Sequence, residues 1–158
     1  RRRIRELNGH AEIIECRHCP RYLRNVFSEA QPELDWLAGK RVYALSGIAV
    51  PMGFEQSLET YGAEVARRYR FADHHRYGEQ EIIDIINEAS REGVDAIVTT
   101  EKDAVRFPKL RRVDVPIYYI RVDIEILSGA EDFHACIGRI CFREHATPAA
   151  ASARVEPV

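Results

Sequence analysis

The amino-acid sequence predicts an α/β domain with a mostly parallel sheet. Two observations carry this. Strand-like and helix-like stretches alternate from about residue 37 to 145, and the strand-like ones are short, nearly continuous apolar runs, as strands buried on both faces are.

Lys40–Ile48 (KRVYALSGI) is rich in β-formers and reads as a buried strand. Pro51 then suits a helix start, where its missing N–H costs nothing. Phe54, Leu58 and Tyr61 recur at helical spacing, and Gly62 stands at a C-cap position. Ala63–Phe71 returns as a strand. Glu79–Glu92 carries the clearest helical period, with Ile82, Ile83, Ile85, Ile86 and Ala89 as its core face and Gly93 as its stop. Asp95–Thr99 (DAIVT) is another short buried strand. A helical turn near Lys102–Phe107 is halted by Pro108; Val115–Ile124 is a further strand and Asp132–Phe142 a last helix. The result is a Rossmann-like, three-layer domain over 37–145. Residues 1–36 form an N-terminal connector in which Ala11–Cys16 (AEIIEC) alternates like a strand. Residues 146–158, an Ala/Pro tail without apolar periodicity, read as disordered.

Composition narrows the classes of function. The 158 residues are 46% hydrophobic and 30% charged with a formal net charge of -2, so no bulk basic field draws the chain to nucleic acid. No apolar run approaches the length of a transmembrane helix and no apolar segment follows Arg1, Arg2, Arg3 and Arg5 as in a signal peptide, which predicts a soluble domain. Those arginines read as a solvated end, with docking on phosphate or anionic lipid as the alternative. Cys16 and Cys19 form a C-x-x-C, but Cys136 and Cys141 are five apart on a predicted helix and would point in different directions. Zinc is therefore disfavoured, and the cysteines are expected to be reduced and mostly packed as small apolar residues.

In parallel sheets, function gathers in the loops beyond the carboxyl ends of the strands. Three loops qualify: Gly47–Gly53, Ala72–Tyr77 and Thr99–Asp103. Asp73-His74-His75 places a carboxylate beside imidazoles, suited to acid–base work or metal ligation; a capping Asp with two exposed histidines is the plainer reading. Thr99-Thr100-Glu101-Lys102-Asp103 offers helix-cap chemistry with a lysine beside it, suited to a phosphate or to a capped surface turn. Gly47-Ile48-Ala49-Val50-Pro51 lacks the G-x-G-x-x-G spacing and reads as a tight turn in which Gly47 supplies backbone freedom. No G-x-x-x-x-G-K-[ST] occurs, so the chain shows no P-loop.

Taken in order, these pieces resemble the tetraacyldisaccharide 4'-kinases (lipid A 4'-kinases), and specifically their C-terminal domain. The resemblance rests on Ala44-Leu45-Ser46-Gly47-Ile48-Ala49-Val50-Pro51, Phe54-Glu55-Gln56-Ser57-Leu58, Gly62-Ala63-Glu64-Val65, Phe71-Ala72-Asp73-His74-His75-Arg76-Tyr77 and Val98-Thr99-Thr100-Glu101-Lys102-Asp103-Ala104-Val105. Ala49 stands where glycine is common, and Val50 where a small or polar residue is expected. The family implies a two-domain enzyme that moves the ATP γ-phosphoryl group to the 4'-hydroxyl of a tetraacyldisaccharide 1-phosphate, at the cytoplasmic face of the bacterial inner membrane. ATP and Mg would be held mainly by an N-terminal P-loop domain outside this chain, so this stretch alone is expected to be inactive and to bind neither tightly. Its partners would be that domain and the lipid substrate, not nucleic acid. The resemblance also implies a two-stranded linker, here Ala11–Cys16 with Val115–Val122.

Of the residues that carry over, His74 matches a histidine that works with an aspartate of the other domain on the sugar hydroxyl. Asp73 would orient His74 or a neighbour. His75, Thr99, Thr100, Glu101, Lys102, Asp103 and Gly47 are the remaining cleft candidates, and no metal ligand is assigned. Two rivals remain: a non-catalytic α/β interaction module, and a DHH-type metal phosphoesterase, which would need a D-x-D motif that does not occur.

Overall fold

A computed structural model describes residues 2–11, 13–110 and 113–141. It divides into a larger compact unit, His18–Ile124, and a smaller one from the two ends of the chain. The larger unit is built on strands β2 (Arg41–Ser46), β3 (Glu64–Arg70) and β4 (Ala96–Thr100), helices α2 (Pro51–Thr60), α3 (Glu79–Arg91) and α4 (Glu101–Ala104), and most of β1 (Glu15–Asn25) and β5 (Ile117–Ser128). The smaller unit holds α1 (Arg2–Leu7), α5 (Ala130–Cys141) and the outer ends of β1 and β5.

The sheet order is β1-β5-β4-β2-β3, and β3, β2, β4 and β5 run parallel. Along the outer pair, Arg21 lies beside Asp123 and Val26 bonds Ile117, so numbers rise on β1 as they fall on β5 and this edge is antiparallel. Alternation along the inner strands divides the core between the two faces of the sheet. Val42, Ala44, Ala96 and Val98 pack with Phe54 and Leu58 of α2; Tyr43, Leu45 and Ile97 pack with Ile82, Ile85, Ile86 and Ala89 of α3. This is the expected three-layer α/β arrangement. Each Val, Leu, Ile or Phe side chain taken fully out of water contributes about 1.5–3 kcal/mol before entropy is charged against it.

Pro51 opens α2 as the sequence suggests. In α3 the core face is Ile82, Ile85, Ile86 and Ala89, the i, i+3, i+4, i+7 spacing, while Ile83 is only half-buried because one residue further turns the side chain about 100° away. Glu79 and Glu81 in the first turn and Arg91 in the last complement the helix dipole.

Three expectations change. The partner strand is not Ala11–Cys16: β1 begins at Glu15 and continues through the C-x-x-C to Asn25. Its residues are mostly polar because it is an exposed edge, held to β5 by Arg17–Glu125, Arg21–Asp123 and Ser128–Glu15 contacts as well as by its backbone. The strand expected at Val115–Ile124 runs from Ile117 to Ser128, and the last helix begins at Ala130, after Gly129 turns the chain with φ 80°. The cysteines are not mostly packed: Cys16 and Cys141 are exposed and Cys19 and Cys136 half-buried, because both edge elements turn little of their surface inward. The tail 146–158 lies outside the described residues.

Candidate active site

Because β2, β3 and β4 are parallel, their carboxyl ends share one edge of the sheet. Ser46 lies opposite Arg70, and Leu45 opposite Thr99. The three loops singled out by the sequence therefore emerge side by side, and one side chain ties them together. Asp103 is fully buried. Its Oδ2 accepts from the Gly47 amide at 3.1 Å and from the Thr100 hydroxyl at 2.6 Å; its Oδ1 accepts from the Tyr77 hydroxyl at 3.0 Å. Arg106 Nη1 lies 3.6 Å from Oδ1 and also donates to the His75 carbonyl at 3.3 Å. A carboxylate offers about four lone-pair sites, so Asp103 is close to saturated. Burial, reinforced by the Asp103 carboxylate, pushes the Tyr77 phenol well above its ordinary range, which keeps it a donor to Asp103.

Gly47 is needed for close approach, not for a left-handed backbone. It is not among the positive-φ glycines, but a Cβ there would meet Tyr77 Oη at 2.8 Å, the Ala72 carbonyl at 3.1 Å and Asp103 Oδ1 at 3.2 Å. The sequence expectation of backbone freedom is corrected accordingly.

Asp73, His74 and His75 do not all converge: Asp73 and His74 lie together and His75 turns away. His74 has a φ of 60°, the one positive value at a non-glycine residue among the described residues, and its side chain is 80% exposed. Its amide donates both to the Gly47 carbonyl at 3.2 Å and to Asp73 Oδ1 at 3.1 Å, while its Nε2 lies 3.6 Å from Asp73 Oδ2. The left-handed region costs an L-residue about 1–2 kcal/mol, and such strain gathers at functional sites. His75 turns the other way. It stacks on Phe71 with ring centroids 4.6 Å apart, meets Tyr77 edge-on, and its Nε2 lies 2.8 Å from Glu81 Oε2. It serves as a wall of the loop.

Among the other candidates, Thr100 is the N-cap of α4, its hydroxyl accepting from the Asp103 amide at 3.2 Å. Thr99 is fully buried, and its hydroxyl finds no partner among the described residues. Glu101 pairs with Arg121 at 2.6 Å, across to β5. Lys102 is exposed on the same turn. Sequence reasoning missed Arg106, which the i,i+3 spacing from Asp103 could have suggested, and it did not give Tyr77 a role.

The fold and this edge define an α/β domain whose carboxyl-end loops are locked from within and present an exposed His–Asp pair. Its family follows from sequence comparison. The family profile described as tetraacyldisaccharide-1-P 4'-kinase matches residues 2–141, and the chain belongs to that family. A tetraacyldisaccharide 4'-kinase of Anaeromyxobacter sp. (strain K) is 40% identical over 139 residues, 87% of this chain and 36% of that protein. One from Rhodospirillum rubrum is 43% identical over 113 residues, 71% of this chain and 33% of the relative. The LpxK crystal structure from Aquifex aeolicus, an "apo" form in complex with ATP, is 20% identical with a TM-score of 0.48, covering 86% of this chain and 40% of that one. The chain spans about a third of the length of the curated relatives it matches. No helix of the described residues is long and apolar enough to cross a membrane.

Proposed function

We propose that this chain is the C-terminal α/β part of a tetraacyldisaccharide 4'-kinase, and that His74 is its contribution to catalysis. The enzyme transfers the γ-phosphoryl group of ATP to the 4'-hydroxyl of a tetraacyldisaccharide 1-phosphate, at the cytoplasmic face of the inner membrane. The observation that carries the reading is the backbone of His74, held in a strained conformation by two hydrogen bonds so that its imidazole stands exposed at the functional edge of the sheet. Phosphoryl transfer depends mostly on positioning and charge stabilisation, and an imidazole beside a carboxylate is suited to taking a proton from an attacking hydroxyl. Asp73 orients His74, and an acidic group from the rest of the protein completes the pair. Lys102, exposed on α4 directly after β4, is a candidate source of positive charge for phosphate.

At the strand-to-helix turn after β2, the glycine amide is not free for a phosphate. The Gly47 N–H is already spent on Asp103, and the Gly47 carbonyl on His74. A polyphosphate needs backbone N–H groups left free to face it. As the two-domain organisation implied by the family suggests, we assign nucleotide and metal to the part of the protein outside this chain. That part is also the natural partner of α5, in which no residue is buried and Phe133, Ile137 and Ile140 lie at helical spacing.

The test is turnover of a tetraacyldisaccharide 1-phosphate by the full-length enzyme, its His74→Ala variant, and this chain alone. The expected result is activity only in the full-length protein, with kcat lowered by about 10²–10⁴-fold in the variant. Wild-type turnover in His74→Ala would remove the histidine from the mechanism.

A further inference from the structure

We infer that Gly47 is a positioning residue, whose two flanking peptide groups clamp the His74 loop onto the buried Asp103. The inference rests on the catalytic reading of His74 and extends it. The Gly47 amide donates to Asp103 Oδ2 at 3.1 Å, and the Gly47 carbonyl accepts from the His74 amide at 3.2 Å. The chain of contacts is thus Asp103, the two peptides around one Cα, and the amide of the strained residue. It is anchored from behind, because Tyr77 Oη and Thr100 Oγ1 hold the same carboxylate. The Tyr77 ring is in turn fixed edge-on by Phe71 and Phe107, with centroids 5.2 and 4.8 Å away. The space beside Gly47 is filled by atoms that cannot yield: the tip of this wedged tyrosine and the carbonyl of Ala72, which sits two residues before His74.

A methyl group at position 47 must therefore push apart the two groups that set the height and direction of the His74 turn. A misplacement of about 1 Å is enough to cost a reaction on the order of 10²-fold. His74 itself needs no contact with the new methyl; it is moved by its backbone.

The experiment uses the full-length enzyme with ATP and a tetraacyldisaccharide 1-phosphate. It compares wild type, Gly47→Ala, Tyr77→Phe, His74→Ala, and Gly47→Ala and Tyr77→Phe each combined with His74→Ala, with thermal melts for all. Gly47→Ala is expected to lower kcat by about 10- to 100-fold with KM changed less than about twofold. Tyr77→Phe leaves Gly47 in place and removes one anchor of Asp103, so it is expected to lower kcat several-fold and keeps the idea testable if the alanine variant folds poorly. In the His74→Ala background both effects should vanish, because the clamp acts through that side chain. A Gly47→Ala enzyme with wild-type kcat beside an impaired His74→Ala would overturn the clamp and leave the histidine standing. Losses that multiply with His74→Ala would overturn it too, by showing a separate route. Wild-type turnover in His74→Ala would instead remove the reading on which the clamp depends.

Discussion

Two buried carboxylates are satisfied in opposite ways, and the contrast separates the carboxyl-end loops of the sheet from its outer strand. Asp103 is held by hydroxyls and a backbone amide from three loops, with a guanidinium 3.6 Å off. Glu55 of α2 is held by guanidinium groups from one strand: Arg70 Nε at 2.7 Å and Nη2 at 2.6 Å, and Arg68 Nε at 3.4 Å. Hydrogen bonding to Arg70 draws the Glu55 carboxyl below its ordinary range against the opposing effect of burial. On the opposite face of β3, Arg67 pairs with Glu88 and Glu92, and burial pushes the Tyr69 phenol up to about 12. An edge strand lined with paired arginines is a poor template for a second chain. Ion pairs thus line the outer strand, whereas hydrogen bonds from uncharged donors to one carboxylate lock the loops together.

The difference fixes what each carboxylate leaves behind when removed. Without Asp103, the Gly47 amide and the Thr100 and Tyr77 hydroxyls lose a partner in the interior, each at about 1–3 kcal/mol. Asp103→Ala is therefore expected to lose about 3 kcal/mol or more in chemical denaturation, the largest effect considered. A loss below 1 kcal/mol would mean that the three loops are held by something else. Without Glu55, the arginines of β3 can turn to water, so Glu55→Gln should lose only about 1–2 kcal/mol at neutral pH.

The Glu55 variant also carries a pH signature. Its folded carboxyl titrates lower than the unfolded one, so its contribution is complete above the unfolded value of about 4.3 and disappears as pH falls through the lower, folded value. Wild type should approach Glu55→Gln in stability as the pH is taken down through that window. Parallel curves through the window would show that the ion pair does not govern the edge.

The smallest effect sharpens the comparison most. His74 occupies a conformation that glycine adopts freely. His74→Gly should change stability by no more than about 1 kcal/mol and in the favourable direction, since relief of the turn offsets the added freedom of the unfolded chain. The same variant should lose turnover in the full-length enzyme. A clear loss of stability would show that the imidazole serves the fold rather than the chemistry.

The central elements were legible because their signals are local. Val42 to Leu45 and Ala96 to Val98 are buried on both faces of a sheet, Ile82, Ile85 and Ile86 along one helical stripe, and each pattern is written within a few neighbouring residues. β1 was legible only at its first two residues. It lies at an edge where Arg17 and Arg21 are favourable, and an exposed edge needs no apolar alternation. The loops were found because they follow strands, but their residues were not sorted by that rule.

What the sequence determined by itself is the order of strands and helices, the loops at the carboxyl ends, and the motifs that mark the family. Only the tertiary structure decided which polar residues face inward. Asp103 looked like a cleft residue and is fully buried; Asp73, His74 and His75 looked able to share one point, but His75 turns away to stack on Phe71; Gly47 looked like a tight turn needing backbone freedom and is a point of close packing. The physical reason is range. Periodicity and capping act over three or four residues, whereas the Gly47–Asp103 bond spans 56 positions and exists only because β4 pairs directly beside β2.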